Sequence, residues 1–441
     1  MPVQYSPSGS TAKEIAAEVE RAVSTGALAP GMPVRPIRLL AADLGVNPNT
    51  VASAYRLLRD RAVVEAAGRR GTRVRNRPPV TPPERPALEL PAGVRDLSTG
   101  HPDPSLLPRL AGPLRRGAIA AAGSGYGDSD MSARLAAAAR AILSTDRIPS
   151  DHLAVAHGTL DAVERVLRAY LRPGDRVAVE DPAWANLTDL LAALGLIAEP
   201  IRVDDEGMLA EPLQRALSSG VRGVVVTTRA QVPTGAATSA RRAAALRRVL
   251  GAHRTVLLIE DDHAAGVAGV PAHPLAAATA TWALVRSVSK AWGPDLRLAM
   301  LAGDATTIGR FRAHQSLGPG WVSHAVQEAV AHLWQDPAAM ARVAAAERTY
   351  AARRGGLITA LSQRGVPATG RSGVNVWVPV IDETTAVAAL LGQGWAVAAG
   401  SRFRLASPPG LRITVATLKT PEVGPLADAV ARAASRSPRG I

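Results

Sequence analysis

Lys290 follows an apolar run, Ala283–Val288, in the stretch RSVSKAWGPDLRLAML. A partly desolvated lysine at the end of a strand, flanked by Ser287 and Ser289, has the chemistry to form a Schiff base with an aldehyde cofactor. Arg297, a little further on, could reach an anionic group bidentately, with the serine hydroxyls adding hydrogen bonds. The plain alternative is a solvated loop. Against it stands the scarcity of lysine: of 51 basic residues, only Lys13, Lys290 and Lys419 are lysine. Upstream, Glu260-Asp261-Asp262-His263 closes another apolar run. A buried carboxylate there could keep a pyridinium nitrogen protonated and strengthen a pyridoxal ring as an electron sink. A helix cap or a carboxylate–histidine metal site are the other readings, and no second histidine falls at ligand spacing for a metal.

Three further spots carry potential chemistry. His157-Gly158-Thr159-Leu160 joins a strand to a helix, and the backbone N–H groups of such a helix start bind phosphate. Glu180-Asp181-Pro182-Ala183-Trp184 ends a strand with an aromatic ring that could stack on a planar cofactor, although a single tryptophan is as readily core. Near the N-terminus, Asn49 and Thr50 open a helix where short polar side chains can meet base edges and phosphates. Arg69, Arg70 and Arg73 follow on a glycine-hinged turn that could track phosphates or enter the minor groove. A small helical oligomerisation domain with a solvated arginine face would show the same periodicity.

The elements that must position these residues divide the chain. Its 441 residues exceed one compact domain, and a 47% hydrophobic, 20% charged composition is globular. With no cysteine there is no disulfide framework, thiol nucleophile or Cys-based metal site. The net charge of +14 is concentrated: residues 1–80 hold 12 basic against 6 acidic side chains, the remainder 39 against 31. Pro78, Pro79, Pro82, Pro83, Pro86 and Pro91 make an extended spacer. We therefore expect a DNA-binding domain at 1–77, a linker at 78–95 and an effector domain at 96–441.

Before the spacer, periodicity predicts helices over Ala12–Ser24 and Leu39–Leu44, and a third capped by Asn47 and opened by Pro48. Ala62–Glu65 and Thr72–Arg75 can pair as a wing. After it, strand-like runs at Leu153–Ala156, Arg176–Glu180, Gly223–Thr228, Thr255–Glu260 and Ala283–Val288 alternate with helices such as Leu160–Leu171 and Ala240–Leu250. That alternation predicts an α/β fold with a mostly parallel central sheet and sites at the strands' carboxyl ends. The longest uncharged stretch, Ala264–Val285, carries prolines and His273 and is a poor bilayer helix. The N-terminus lacks signal-peptide regions, so the expectation is a soluble cytoplasmic protein.

Residues 26–74, with ALAPGMPVRPIRLLAADLGVNPNTVASAYRLLRDRAVVEAAGRRGTRV, resemble the winged helix–turn–helix of GntR-type regulators. The resemblance implies that Arg38, Asn49, Thr50 and the wing around Arg70 touch double-stranded DNA. The usual Leu-Pro-Ser-x-Arg entry is Val34-Arg35-Pro36-Ile37-Arg38 here, and the Ser-Arg before Asn-Thr-Val is Asn47-Pro48.

From about Asp96 onward the chain resembles fold-type-I aminotransferases, and a GntR-like winged helix fused to that module is the layout of the MocR subfamily. Ser-x-Ser-Lys followed by Pro-x-Leu-Arg-Leu is that subfamily's cofactor motif. The resemblance implies pyridoxal 5′-phosphate held as a Lys290 aldimine, Asp261 on the pyridine nitrogen and Trp184 stacked on the ring. It implies a phosphate held by Gly158, Thr159, Ser287 and Arg297, with Ser289 beside them, and Gln231 near the ring hydroxyl. Tyr126 would reach the phosphate of a neighbouring subunit, which implies a homodimer. Arg412 would take an effector's α-carboxylate. Departures are His263 for the expected tyrosine, Leu160 for a polar phosphate-loop residue, Ala230 for a histidine and Met131 for a glycine. They imply altered affinity or chemistry.

The expectation is thus a transcriptional regulator with little or no turnover, responding to the cofactor or to an amine or amino acid. A working aminotransferase with an accessory DNA-binding domain is the competing reading. A regulator whose pocket has lost the cofactor is a third.

Overall fold

The computed structural model describes residues 7–24, 27–29, 31–60, 63–66, 71–75 and 90–434. Arg69, Arg70, Ala62 and the proline run from Pro78 to Pro86 lie outside them. The chain forms two compact units, one of them containing the first 88 residues.

In the N-terminal region α1 (Ala12–Ser24), α2 (Ile37–Leu44) and α3 (Pro48–Asp60) precede an antiparallel pair, β1 (Val64–Ala66) and β2 (Thr72–Val74). Helix α2 stops at Gly45, which is left-handed at φ 66°, and the Val46 N–H returns to the Ala41 carbonyl. Two residues later the Asn47 side chain accepts from the Asn49 N–H at 2.8 Å, which fixes where α3 begins. Ile15, Ala16 and Val19 of α1 are buried with Val51, Ala54, Tyr55 and Leu58 of α3. These are the helix faces that periodicity selects. The segment 31–34 was not anticipated: Gly31, Met32 and Val34 exchange backbone hydrogen bonds with β2 and make a third strand-like layer.

The larger body carries β3 (Arg95–Asp96), β4 (His152–Ala156), β5 (Arg176–Asp181), β6 (Ile197–Asp204), β7 (Gly207–Met208), β8 (Gly223–Thr227), β9 (Leu257–Asp262), β10 (Thr281–Ser287) and β11 (Ala299–Gly303). The central sheet runs β4-β11-β10-β9-β8-β5-β6-β7, and β8, β9 and β10 are parallel. Both neighbours of β11 are antiparallel to it, so β4 and β10 point the same way. Ala156 and Ser287 both face Ala299 in register. Two carboxyl ends far apart in sequence are thereby brought close together.

A second layer follows, with the helix Pro337–Ser362, β12 (Asn375–Pro379), β13 (Trp395–Ala396), β14 (Ala398–Ala399) and β15 (Gly410–Thr414). Strands β12, β15 and β14 form an antiparallel sheet over a core of Leu361, Val376, Ile413 and Leu426, and β13 pairs with β3. Most sequence-derived strands lie within two residues of their observed limits. Strands β6 and β11 and this whole C-terminal layer were not read.

Candidate functional site

Lys290 sits in a four-residue helix, Ser289–Trp292, directly after β10. Its Nζ donates to the Gly100 carbonyl at 2.6 Å. Burial, reinforced by the Arg412 guanidinium and opposed by Asp261, pushes its amine down to about 8. The neutral, nucleophilic form is therefore far more accessible near physiological pH than in an ordinary lysine.

Strand alternation decides what the acidic run can do. Asp261 and Asp262 point to opposite faces of β9. On one face, buried Asp261 keeps Oδ2 at 3.1 Å from His263 Nδ1, while its Oδ1 has no hydrogen-bond partner. On the other face, Asp262 receives Arg229 Nε at 2.7 Å and Arg286 Nε at 2.7 Å, and both arginines also reach Asp146. Burial works against its charge, yet Arg286 and Arg229 hold Asp262 at about 2. Glu260 shares that face, accepting from Thr228 Oγ1 at 2.7 Å and from the Leu275 and Ala276 N–H groups. The four side chains from 260 to 263 therefore do not converge as a metal-ligand set. One faces the lysine with its neighbouring histidine, and two are structural.

Glu180, at the end of β5, is the residue that motif reading passed over. It is buried, its Oε1 has no partner, and burial drives its carboxyl up to about 8, with Asp261's charge adding to the effect. Its signal was present in Glu180-Asp181-Pro182, where attention went to Trp184. Trp184 itself is half-buried just beyond β5. Asp181 instead anchors the segment 405–407, accepting from the Leu405 and Ala406 N–H groups and Ser407 Oγ.

At the end of β4, Gly158 has φ 97° and touches Arg297. A Cβ there would stand 2.6 Å from Arg297 Nη2, so only glycine leaves the guanidinium its place. Arg297 is itself left-handed at φ 41°, with Nη2 3.3 Å from the His157 carbonyl. Thr159 starts the helix Thr159–Tyr170. Ser287 Oγ accepts from the Ser289 N–H at 3.1 Å, fixing the turn that carries Lys290. Gly158, Thr159, Ser287, Ser289 and Arg297 thus cluster on the sheet's carboxyl edge.

Arg412, buried in β15, donates through Nη2 to the Ser98 carbonyl and lies over the Phe403 ring at 4.8 Å. Gln231 is buried and shapes its own loop. Its Nε2 donates to the Pro182 carbonyl at 2.7 Å and its Oε1 accepts from the Thr234 N–H and hydroxyl. The Pro182 bond uses one of the two Nε2 hydrogens, and the bonds at both ends of the amide shape the loop that carries it. Tyr126 is 97% exposed, edge-on to Trp321 at 5.4 Å between ring centroids.

On the N-terminal region Arg38 and Asn49 are exposed and Thr50 is half-buried. Arg73 donates through Nη1 to the Gly31 carbonyl at 3.1 Å. Arg56 and Arg59, exposed on α3, were not singled out, although Arg56 stands two turns from Asn49 on the same helix face.

Residues 11–74 match the family described as bacterial regulatory proteins of the gntR family, and residues 93–430 match aminotransferase class I and II. The vitamin B6 salvage pathway transcriptional repressor PtsJ of Salmonella typhimurium is 39% identical, over 97% of this chain and 99% of that protein. The chain belongs to the MocR subfamily of GntR-type regulators.

The pyridoxine biosynthesis regulator PdxR of Corynebacterium glutamicum is 26% identical over 63% of this chain and 62% of its own. Among solved structures, a kynurenine aminotransferase of Pyrococcus horikoshii superposes with a TM-score of 0.69 at 20% identity, over 78% of this chain and 91% of that one. This MocR-type protein is a DNA-binding regulator with a fold-type-I aminotransferase body. Among its described residues no helix is long and apolar enough to cross a membrane.

Proposed function

We propose that this MocR-type chain is a cytoplasmic transcriptional regulator whose body holds pyridoxal 5′-phosphate through Lys290 and reads its level, or that of an amine or amino acid reacting with it. The domains are assigned as 1–77, 78–95 and 96–441, working as a homodimer on two DNA half-sites. The observation that carries the reading is a buried carboxylate oxygen without a partner, Asp261 Oδ1, in the field of Lys290, whose buried amine is lowered to about 8. An unsatisfied buried acceptor costs about 1–3 kcal/mol, and a pyridine N–H is the donor that would satisfy it. The full-length relative named as a vitamin B6 salvage repressor supports the same ligand class.

When bound, the cofactor supplies an aldehyde carbon and an electron-withdrawing ring. Lys290 offers the nucleophilic nitrogen, and Asp261, oriented by His263, accepts the ring N–H. Gly158, Thr159, Ser287 and Arg297 hold the phosphate, and Trp184 covers the ring. Arg412 takes a carboxylate through its planar fork. A ligand changes DNA binding only by its differential affinity for two arrangements of the protein.

An absorption spectrum of the purified chain with added pyridoxal 5′-phosphate tests this. A Schiff-base band present in the wild type and absent in Lys290→Ala is the expected result. A wild type without the band would overturn the cofactor assignment. Because Lys290, Asp261 and Arg412 are all present, a working aminotransferase is the second reading. Steady-state transamination across an amino-acid panel without DNA affinity would establish that reading instead.

A further inference from the structure

The two cations assigned to ligand are both engaged by one short segment. Lys290 Nζ donates to the Gly100 carbonyl at 2.6 Å, and Arg412 Nη2 donates to the Ser98 carbonyl. Gly100 is left-handed at φ 72°, and a Cβ on it would stand 3.3 Å from Arg412 Nη1. Next along is His101. Burial, then the positive charges of Lys290 and Arg412, hold its imidazole below the usual range, while Asp96 opposes them.

The segment is fixed at both ends. Leu97 N–H bonds the Ala396 carbonyl, its own carbonyl accepts from Thr414, and Arg95 pairs with Glu422 at 2.9 Å. Beyond it, Asp103 N–H donates to the Tyr350 hydroxyl at 2.9 Å and Asp103 pairs with Arg353 at 3.0 Å. Between these anchors the Gly100 N–H donates to Thr414 Oγ1 at 3.1 Å. Ser98 is held to Asp96 Oδ1 through its N–H at 2.8 Å and its hydroxyl at 2.7 Å, and the carbonyls of Ser98 and Gly100 are tied to Arg412 and Lys290.

We propose that Ser98–His101 is a ligand-sensing strap whose carbonyls occupy Lys290 and Arg412 in the free protein and yield them to ligand. The inference rests on the function proposed above. A lysine nitrogen that forms a double bond to an aldehyde carbon loses two hydrogens with the departing oxygen as water. As the neutral imine it then has none to give Gly100. A carboxylate on Arg412 competes with the Ser98 carbonyl, and an ionised acceptor wins over a neutral one by roughly twofold in strength. The strap begins two residues after Asp96 in the chain, close behind the proline run that ends at Pro91.

Hydrogen exchange of the full-length protein, with and without pyridoxal 5′-phosphate, tests the strap. The amides of Thr99, Gly100 and His101 should exchange about tenfold faster once the Schiff-base band has formed. In Lys290→Ala they should be fast from the start and indifferent to the cofactor. Gly100→Ala forces a Cβ toward Arg412, so the free variant should already exchange like the loaded wild type. A wild type that shows the band with unchanged exchange at 98–101 overturns the strap and leaves the cofactor site standing. A wild type without the band removes both. The wild-type comparison needs no substitution, so it stands even if a variant folds poorly.

Discussion

The N-terminal winged helix and the aminotransferase-like body handle charge in opposite ways. In the first, Arg38, Arg56 and Arg59 are exposed and the buried side chains are almost wholly apolar. In the second, Asp262, Arg229 and Arg286 are buried together, and two further carboxylates, Glu180 and Asp261, are buried with an oxygen unpaired. A surface that meets a polyanion needs its cations in water until the partner arrives. A pocket that recognises a small ring must hold its polar groups dry and pre-aimed, and the surrounding protein supplies the stability to do so. The difference shows that one chain can carry an interface of exposed charge and a pocket of buried charge at once.

The contrast can be broken most forcefully in the body. Asp262→Asn leaves Arg229 and Arg286 sharing only Asp146, and breaking such a buried pair costs about 3–5 kcal/mol. Thermal unfolding should show the body's transition falling by roughly 5–10 °C. A shift of under a degree would mean that the cluster is less dry than its burial implies. The matching test on the winged helix is Arg38→Ala with Asn49→Ala. Operator affinity, read by fluorescence anisotropy, should fall roughly a hundredfold, while the melting temperature and the cofactor band stay put. A drop in stability instead would make these residues structural.

Glu180 sharpens the comparison through pH. Its folded carboxyl is raised from 4.5 to about 8, so its proton is retained on folding while the unfolded chain loses it. The stability it contributes is full below pH 4.5 and is lost as pH rises toward and through about 8. Glu180→Gln should therefore raise the melting temperature over the wild type by a few degrees, roughly 2–4 °C, at alkaline pH and by less in acid. An equal effect at both ends would show that the carboxyl is ionised throughout. The smallest effect belongs to the winged helix. Asn47→Ala removes the cap on the Asn49 N–H and should cost about 1 kcal/mol in chemical denaturation.

Much of the winged helix could be read because its signals are local. Gly45, Asn47 and Pro48 mark one helix end and the next start within four residues, and the apolar faces of α1 and α3 follow a 3.6-residue period. What escaped there was long-range: the pairing of 31–34 with β2, and the return of Arg73 to Gly31. In the body, apolar runs announced most central strands, and lysine scarcity with the Ser-x-Ser-Lys pattern drew attention to Lys290. Strand β6 went unread because it is mostly half-buried and carries Glu199, Arg202 and Asp204 in place of an apolar run. For Gln231 the sequence cannot show that Pro182 and Thr234 also bond its amide.

By itself the sequence determined the order of modules, the helix limits around the recognition helix, the strand ends that carry chemistry and the family to which the chain belongs. Each of these is encoded within a window of a few residues or in a motif. The family resemblance had singled out Asp261, and only the tertiary structure showed that Asp262 is turned to Arg229 and Arg286, that Glu180 sits in the field of Asp261, and that Ser98 and Gly100 engage Arg412 and Lys290. Those facts join residues that are from two to more than three hundred positions apart. They depend on strand register and on which face of the sheet each side chain takes. A one-residue slip would exchange every facing partner, and no local pattern records that choice.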